Sequence, residues 1–221
     1  EDSPSRSCVE AIDVITRRAA ELCQQMLAYS GHTSVEQKHI SLPDLVREMA
    51  HLLEVSISKK TSLQLSLSEN TPDIMADSAQ IRQIIMNLIT NASEAIGDIG
   101  GTITATVAPM MCNAGFLRAC LVNDNCPPGL YTCLEVSDTG CGMDTQTIMR
   151  IFDPFLSTKV TGRGLGLAAV LGIVRSHRGA IHVESSPGQG SLFRVLLPAM
   201  SEDTPQETQE AEFTAPWQGK A

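Results

Sequence analysis

The stretch DSAQIRQIIMNLITNASEAIG, residues 77–97, decides the fold. It reads as a long helix entered from a short strand beginning at Asp73. Asp77 is placed to cap its N-terminus, with Gln80 at the reciprocal capping-box position. Gly97, Gly100 and Gly101 end it. Within this helix Asn87 and Asn91 lie one turn apart, so both carboxamides project from one face. A carboxamide oxygen is a hard, neutral ligand suited to Mg²⁺. The plainer alternative is a pair of solvated or capping asparagines. Asparagine is a poor helix former, however, and its presence in mid-helix calls for a reason.

Working outward, TSLQLSLSEN (residues 61–70) alternates apolar and polar and predicts a strand. A helix is predicted before it, from about Ser41 to Ser58 through Leu45, Met49, Leu52 and Leu53, with Asp44 as an acidic partner in its first turn. Further upstream, residues 7–30 carry an apolar stripe of Ile12, Ile15, Ala19, Leu22, Met26 and Tyr29, as a helix-bundle seam does. Downstream, TITATV and YTCLEVSD are strands, and residues 110–129 between them read as an irregular hairpin connection turning at Pro127-Pro128-Gly129. A short helix over 145–151, a helix over 165–177 and two closing strands, AIHVES and SLFRVLLP, complete the set. Pro187-Gly188 makes the turn between the closing strands. After Ser201 the composition shifts to Glu, Gln, Thr and Pro, predicting a disordered linker. The expected fold class is an α/β sandwich, helices on one face of a mixed, mostly antiparallel sheet.

Two further segments carry chemistry. In DTGCGM, Asp138 is expected to end a strand. An ionised carboxylate only accepts hydrogen bonds, so it can take the adenine amine and reject the guanine carbonyl. Gly140 and Gly142 allow close approach of backbone, and Met143 offers a soft surface. Taken alone, this segment is better explained as an ordinary Asp-Gly turn. In TGRGLGLA, Gly162, Gly164 and Gly166 precede a helix, so free N–H groups and the helix dipole can face phosphates. Neither a Walker loop nor a dinucleotide fingerprint is present. A formal charge of −9 argues against a nucleic-acid surface. The seven cysteines include no C-x-x-C pair, so free buried thiols are expected rather than a zinc site or a disulfide framework.

Together and in this order, NLITNA, DTGCGM and TGRGLGLA resemble the N-box and the two Gly boxes of the GHKL superfamily. IFDPFLSTK resembles the F-box of histidine kinases, and SSPGQGSLFRVLLP the family's final strand pair. The resemblance covers about residues 42–198 and implies the Bergerat fold, with Mg²⁺ and ATP bound between the N-box helix and a lid. It implies Asn91 and Asn87 as Mg²⁺ ligands and Asp138 as the reader of adenine, helped by Ser191. Gly140, Gly142 and Met143 are implied around the base, and Gly162, Arg163, Gly164, Leu165 and Gly166 around the phosphates. Lys159 is placed to reach the terminal phosphates, and Asn87 and Lys159 stand at the catalytic positions. The loop from Lys159 to Leu165 is shorter than in many relatives.

RRAAELCQQMLAYSG (residues 17–31) resembles the second helix of the dimerisation and phosphoacceptor hairpin, and NASEAI the subgroup related to nitrogen-regulation sensors. The expected organisation is therefore part of that hairpin over 1–32, the ATP-binding domain over 33–200 and a linker over 201–221, its end resembling those that lead to receiver domains. The resemblance implies a histidine kinase working with a phosphoacceptor hairpin and a receiver domain, as a homodimer at full length. The phosphoacceptor in that hairpin is a His followed by an acidic residue. His32, His39, His51, His177 and His182 all lack that neighbour and read as surface or partly packed histidines. In ATPases of the same fold a Glu stands at the position of Asn87 and activates water; a carboxamide cannot take the proton. A non-catalytic nucleotide-binding module is the third alternative. With no apolar run long enough to span a membrane and no signal-peptide pattern, this stretch is expected to be cytoplasmic, any anchor lying elsewhere.

Overall fold

The computed structural model describes residues 37–154 and 165–200. The helix expected over 7–30, the linker after Ser201, and Lys159, Gly162, Arg163 and Gly164 lie outside the described residues.

Strand β1 (Lys38–Ile40) leads into helix α1 (Leu42–Ser56). The Ser41 hydroxyl accepts the Asp44 N–H at 3.4 Å, and Pro43 sits in the first turn, where its missing N–H costs nothing. Leu45, Met49 and Leu53, spaced by four, are buried, while Leu52 is 57% exposed because it lies a hundred degrees round the helix from Leu53. Strands β2 (Thr61–Leu67) and β3 (Ile74–Ala76) precede the decisive helix, α2 (Ser78–Ile96). Ile81, Ile84, Ile85, Leu88, Ile89, Ala92 and Ile96 form its buried stripe. Each fully buried Ile or Leu contributes about 1.5–3 kcal/mol, so the stripe outweighs the two asparagines, whose propensity penalty is at most about 0.7 kcal/mol each.

Asp77 caps α2 as expected, its Oδ1 accepting the N–H groups of Ala79 at 2.9 Å and Gln80 at 3.2 Å. The reciprocal half of the capping box is not made. The Asp77 N–H donates instead to His177 Nε2 at 3.2 Å, and Gln80 Oε1 is buried without a partner. His177 is therefore not a surface histidine: it is 6% exposed, and Nδ1 lies 2.8 Å from the Ile173 carbonyl. That contact requires a proton on Nδ1 and leaves Nε2 as the acceptor, which fixes the neutral tautomer.

The main sheet holds six strands in the order β2-β4-β6-β8-β7-β5. Here β4 is Gly101–Cys112, β5 Val122–Asn123, β6 Gly129–Asp138, β7 Ala180–Ser185 and β8 Ser191–Pro198. Only β2 and β4 pair in parallel; every other neighbouring pair is antiparallel, the mixed sheet that was expected. Ile103, Ala105 and Val107 on β4, Leu134 and Val136 on β6, and Phe193, Val195 and Leu197 on β8 join α1 and α2 in one core. So do Val170, Leu171, Ile173 and Val174 of the last long helix, Gly166–Ser176.

Residues 110–129 are more ordered than an irregular connection. Strand β4 continues to Cys112, and Asn113 caps a short helix, α3 (Ala114–Ala119), by accepting the Phe116 N–H at 2.8 Å. Six residues are too few to display a helical period, so the sequence pattern hides this element. It covers the opposite sheet face, where Tyr131, Cys133 and Leu196 alternate with the core residues and pack with Leu117, Cys112 and Cys120. Burial pushes the Cys120 thiol up to about 11 and the Cys133 thiol up to about 12. Cys112, Cys120 and Cys133 are buried and free as expected; Cys126 is half-buried and Cys141 is exposed. Among the described residues no helix is long and apolar enough to cross a membrane.

Candidate nucleotide site

The site lies where the end of β6, the start of β8 and the beginning of the last helix converge on α2. Short helix α4 (Thr145–Ile148) stands beside it, capped by Asp144, whose carboxylate accepts the Thr147 N–H at 2.8 Å and is held below its usual range by that bond. The last helix is α5 (Gly166–Ser176), one residue shorter at each end than the expected 165–177.

Asn87 and Asn91 both face the first residue of α5. A Cβ added at Gly166 would lie 3.6 Å from Asn87 Oδ1 and 3.7 Å from Asn91 Nδ2. Asn87 Nδ2 donates to the Gly166 carbonyl at 3.1 Å, which uses one of its two amide protons to hold α5 and leaves Oδ1 available. Asn91 Nδ2 is buried without a hydrogen-bond partner. A buried amide left unsatisfied is what a bound group would complete. The unsatisfied Asn91 NH₂ can only donate, so it fits a phosphate oxygen at the N-terminus of this eleven-residue helix, while a hard cation would take the carboxamide Oδ1 atoms. Leu165 is buried and leads directly into α5.

Asp138 ends β6 and is 9% exposed. Its Oδ1 accepts the Gly140 N–H at 2.7 Å, an Asx turn that fixes the carboxylate. The glycines that follow have a different immediate reason than approach to a ligand. A Cβ at Gly140 would sit 2.7 Å from the Ala95 carbonyl oxygen of α2, and one at Gly142, with φ +64°, 1.9 Å from the Ser186 carbonyl oxygen. The segment is pressed between α2 and the β7–β8 turn, pinned by Cys141 N–H to Ala95 O at 3.0 Å and Gly188 N–H to Cys141 O at 2.7 Å. Met143 is partly buried against the main core, and its N–H donates to Ser185 Oγ at 2.8 Å.

Ser191 is 8% exposed and directly opposite Asp138 across the β6–β8 ladder; Ser185 is directly opposite Ser191 on β7. The Ser185 and Ser191 hydroxyls are 3.0 Å apart. Ser185 and Gly190 were not singled out from the sequence. Gly190, at φ +79°, has room for no side chain, since a Cβ would meet the Asp138 carbonyl oxygen at 1.9 Å. The G-x-G of PGQG was a visible signal for Gly190; nothing in the local pattern marks Ser185. A cavity of about 670 Å³ lies at the other end of α5 and β8, lined by residues including Met75, His177 and Leu197. It is remote from this constellation.

A carboxylate at a strand end beside a glycine-rich turn, facing a helix that carries two asparagines one turn apart, defines an ATP-binding domain of the GHKL class. The chain belongs to the family of histidine kinase-, DNA gyrase B- and HSP90-like ATPases, whose pattern matches residues 76–201, more than half its length. It is 31% identical over 202 residues to the sensor kinase CckA of Brucella abortus (strain 2308), covering 90% of this chain and 21% of that protein. With the sensory histidine kinase/phosphatase NtrB of Rhizobium leguminosarum bv. phaseoli the identity is 29% over 202 residues, 91% of this chain and 51% of that one. Among solved structures, full-length ShkA in complex with AMPPNP superposes with a TM-score of 0.69 at 25% identity, covering 90% of this chain and 40% of that one. The catalytic domain of histidine kinase ThkA gives 0.59 at 26% identity, over 74% of this chain and 96% of that one. The chain spans no more than about half the length of these sensor-kinase relatives. Its described residues form an ATP-binding domain of this family, similar to those of sensor histidine kinases.

Proposed function

We propose that this domain transfers the γ-phosphate of ATP to a histidine of a phosphoacceptor hairpin, in a protein that acts as a homodimer and passes the phosphoryl group to a receiver domain. The observation that carries the reading is Asn87. Its amide donates to the Gly166 carbonyl, and a carboxamide has no basic oxygen with which to activate water. Transfer to an incoming imidazole needs no such base on this domain, whereas hydrolysis does. The domain's work is then positioning: phosphoryl transfer draws its rate mainly from alignment and charge neutralisation.

In this reading Asp138 accepts the adenine amine while its second task, accepting the Gly140 N–H, keeps the carboxylate in place. Ser191 assists from the facing strand. Met143, Gly140 and Gly142 shape the pocket around the base. The first N–H groups of α5, with Leu165 and Gly166, receive phosphate oxygens. Gly162, Arg163, Gly164 and Lys159 are assigned to the lid over the phosphates from the sequence. Asn91 and Asn87 would hold Mg²⁺, which when bound neutralises phosphate charge. The AMPPNP complex of ShkA supports a nucleotide in this fold. The test is to mix the chain with a separate hairpin that carries a phosphoacceptor His, supply γ-labelled ATP and Mg²⁺, and look for acid-labile label on the hairpin. Free phosphate produced faster than phosphohistidine would favour a hydrolase instead.

A further inference from the structure

Ser185 opens the closing segment SSPGQGSLFRVLLP, and its hydroxyl has three partners. Oγ is 2.8 Å from the Met143 nitrogen, 2.8 Å from the Gly190 carbonyl oxygen and 3.0 Å from Ser191 Oγ. Two of these contacts allow only one direction. A backbone N–H can only donate, so Ser185 accepts from Met143. A carbonyl can only accept, so the single Ser185 proton goes to Gly190. At the third contact Ser185 has only a lone pair left. Ser191 must therefore be the donor, and its one proton points away from Asp138, towards β7.

We propose that Ser185 determines the base specificity of the site by taking the Ser191 proton, so that Ser191, like Asp138, offers the nucleobase only lone pairs. Asp138, Ser191 and Ser185 form one row across β6, β8 and β7, each directly opposite the next. Directly opposed residues carry their side chains on the same sheet face, so the row is continuous. A pocket wall made only of acceptors suits the amine at position 6 of adenine, whether met directly or through water. It repels the carbonyl at position 6 of hypoxanthine and guanine. Without Ser185 the Ser191 hydroxyl is free to turn its proton to a carbonyl. The inference rests on the assignment of Asp138 and Ser191 to the adenine amine.

The experiment measures ADP and IDP binding to the chain by calorimetry with Mg²⁺ present. The two ligands differ only in the amine or carbonyl at position 6 and the proton this places on N1. The wild type is expected to prefer ADP. Ser185→Ala is expected to lower the ADP-to-IDP preference by about tenfold, the worth of one neutral hydrogen bond reversed in sense. Ser185→Thr, which keeps the hydroxyl, should retain the preference. In a Ser191→Ala background, Ser185→Ala should leave the ratio unchanged, because there is no proton left to direct. If Ser185→Ala does not fold, Ser185→Cys, a weak acceptor of similar size, takes its place. Equal binding of ADP and IDP by the wild type would overturn the adenine assignment itself. A selective wild type whose ratio is unmoved by loss of the Ser185 hydroxyl would overturn the role of Ser185 alone.

Discussion

Asp138 on β6 and Ser191 on β8 stand directly opposite each other at the same end of the sheet, one following the other by more than fifty residues in sequence. The pairing is antiparallel and continuous from Tyr131–Pro198 to this point, so the two side chains are set by eight consecutive paired residues rather than by a loop. A site built on a strand ladder holds its geometry without a ligand.

Asp138→Asn is expected to weaken ATP binding by ~1–3 kcal/mol while leaving the fold intact. The amide oxygen can still accept the Gly140 N–H, which turns the amide NH₂ towards the adenine amine, donor against donor. Calorimetry paired with a thermal melt checks this. An unaltered affinity would show that the carboxylate does not read the base.

Asn91→Ala should remove most of the Mg²⁺ dependence of nucleotide binding. Titrations with and without a chelator should then converge, where the wild type shows a clear gap. Asn87→Ala should also loosen α5, because the Gly166 carbonyl loses its amide donor. Slowed nucleotide binding with faster hydrogen exchange at residues 166–170 is the expected signature. A wild type that binds ATP equally well in chelator would contradict the metal assignment.

His177→Ala should destabilise the domain by about 1–2 kcal/mol, since the Asp77 N–H would lose its acceptor in a partly buried position. Nucleotide affinity should change little, because His177 lies at the far end of α5 from Gly166. Denaturant melts and ATP titration of the same variant separate the two effects.

Thiol alkylation at mildly alkaline pH should rank the five described cysteines by exposure and charge. Cys120 and Cys133 are pushed up to about 11 and 12 by burial, so little thiolate exists there at pH 8. Cys141 is exposed and should react first among them. Peptide mapping by mass spectrometry reads the order. Early modification of Cys133 would mean that the sheet face under α3 opens in solution.

The chain by itself should take no phosphate label from γ-labelled ATP. None of its five histidines is followed directly by Asp or Glu, the arrangement of the phosphoacceptor in that hairpin; His182 has a carboxylate beside it, Glu184 at 3.5 Å, but two residues on. Acid-labile label that disappears on mutating His32, His39, His51, His177 or His182 would refute this.

Most of the fold was legible because its elements are long and amphipathic. Helix α2 and strands β2 and β4 bury mainly one face, and a buried face writes its period into the chain; β6 and β8, buried on both faces under α3, read instead as apolar runs. The candidate site left its own marks: Asn87 and Asn91 stand one turn apart in mid-helix, where asparagine is a poor former, and glycines with side-chain clashes or positive φ cannot be replaced silently. The short helix α3 left no such trace. The second half of the α2 capping box is not made because the Asp77 N–H donates to His177, one hundred positions away, instead of to Gln80.

What the sequence determined by itself was local: periodicity, caps, turns and the order of the glycine-rich segments. What only the tertiary structure decided was which residues meet across the sheet. Ser185 reaches Met143 across forty-two residues, and Asp77 reaches His177 across one hundred. Serine and histidine carry hydrogen-bonding groups whose direction depends on their partners, and those partners become neighbours only when strand register and helix packing are complete. A donor's sense therefore has no local signature, although the residue that carries it is written in the chain.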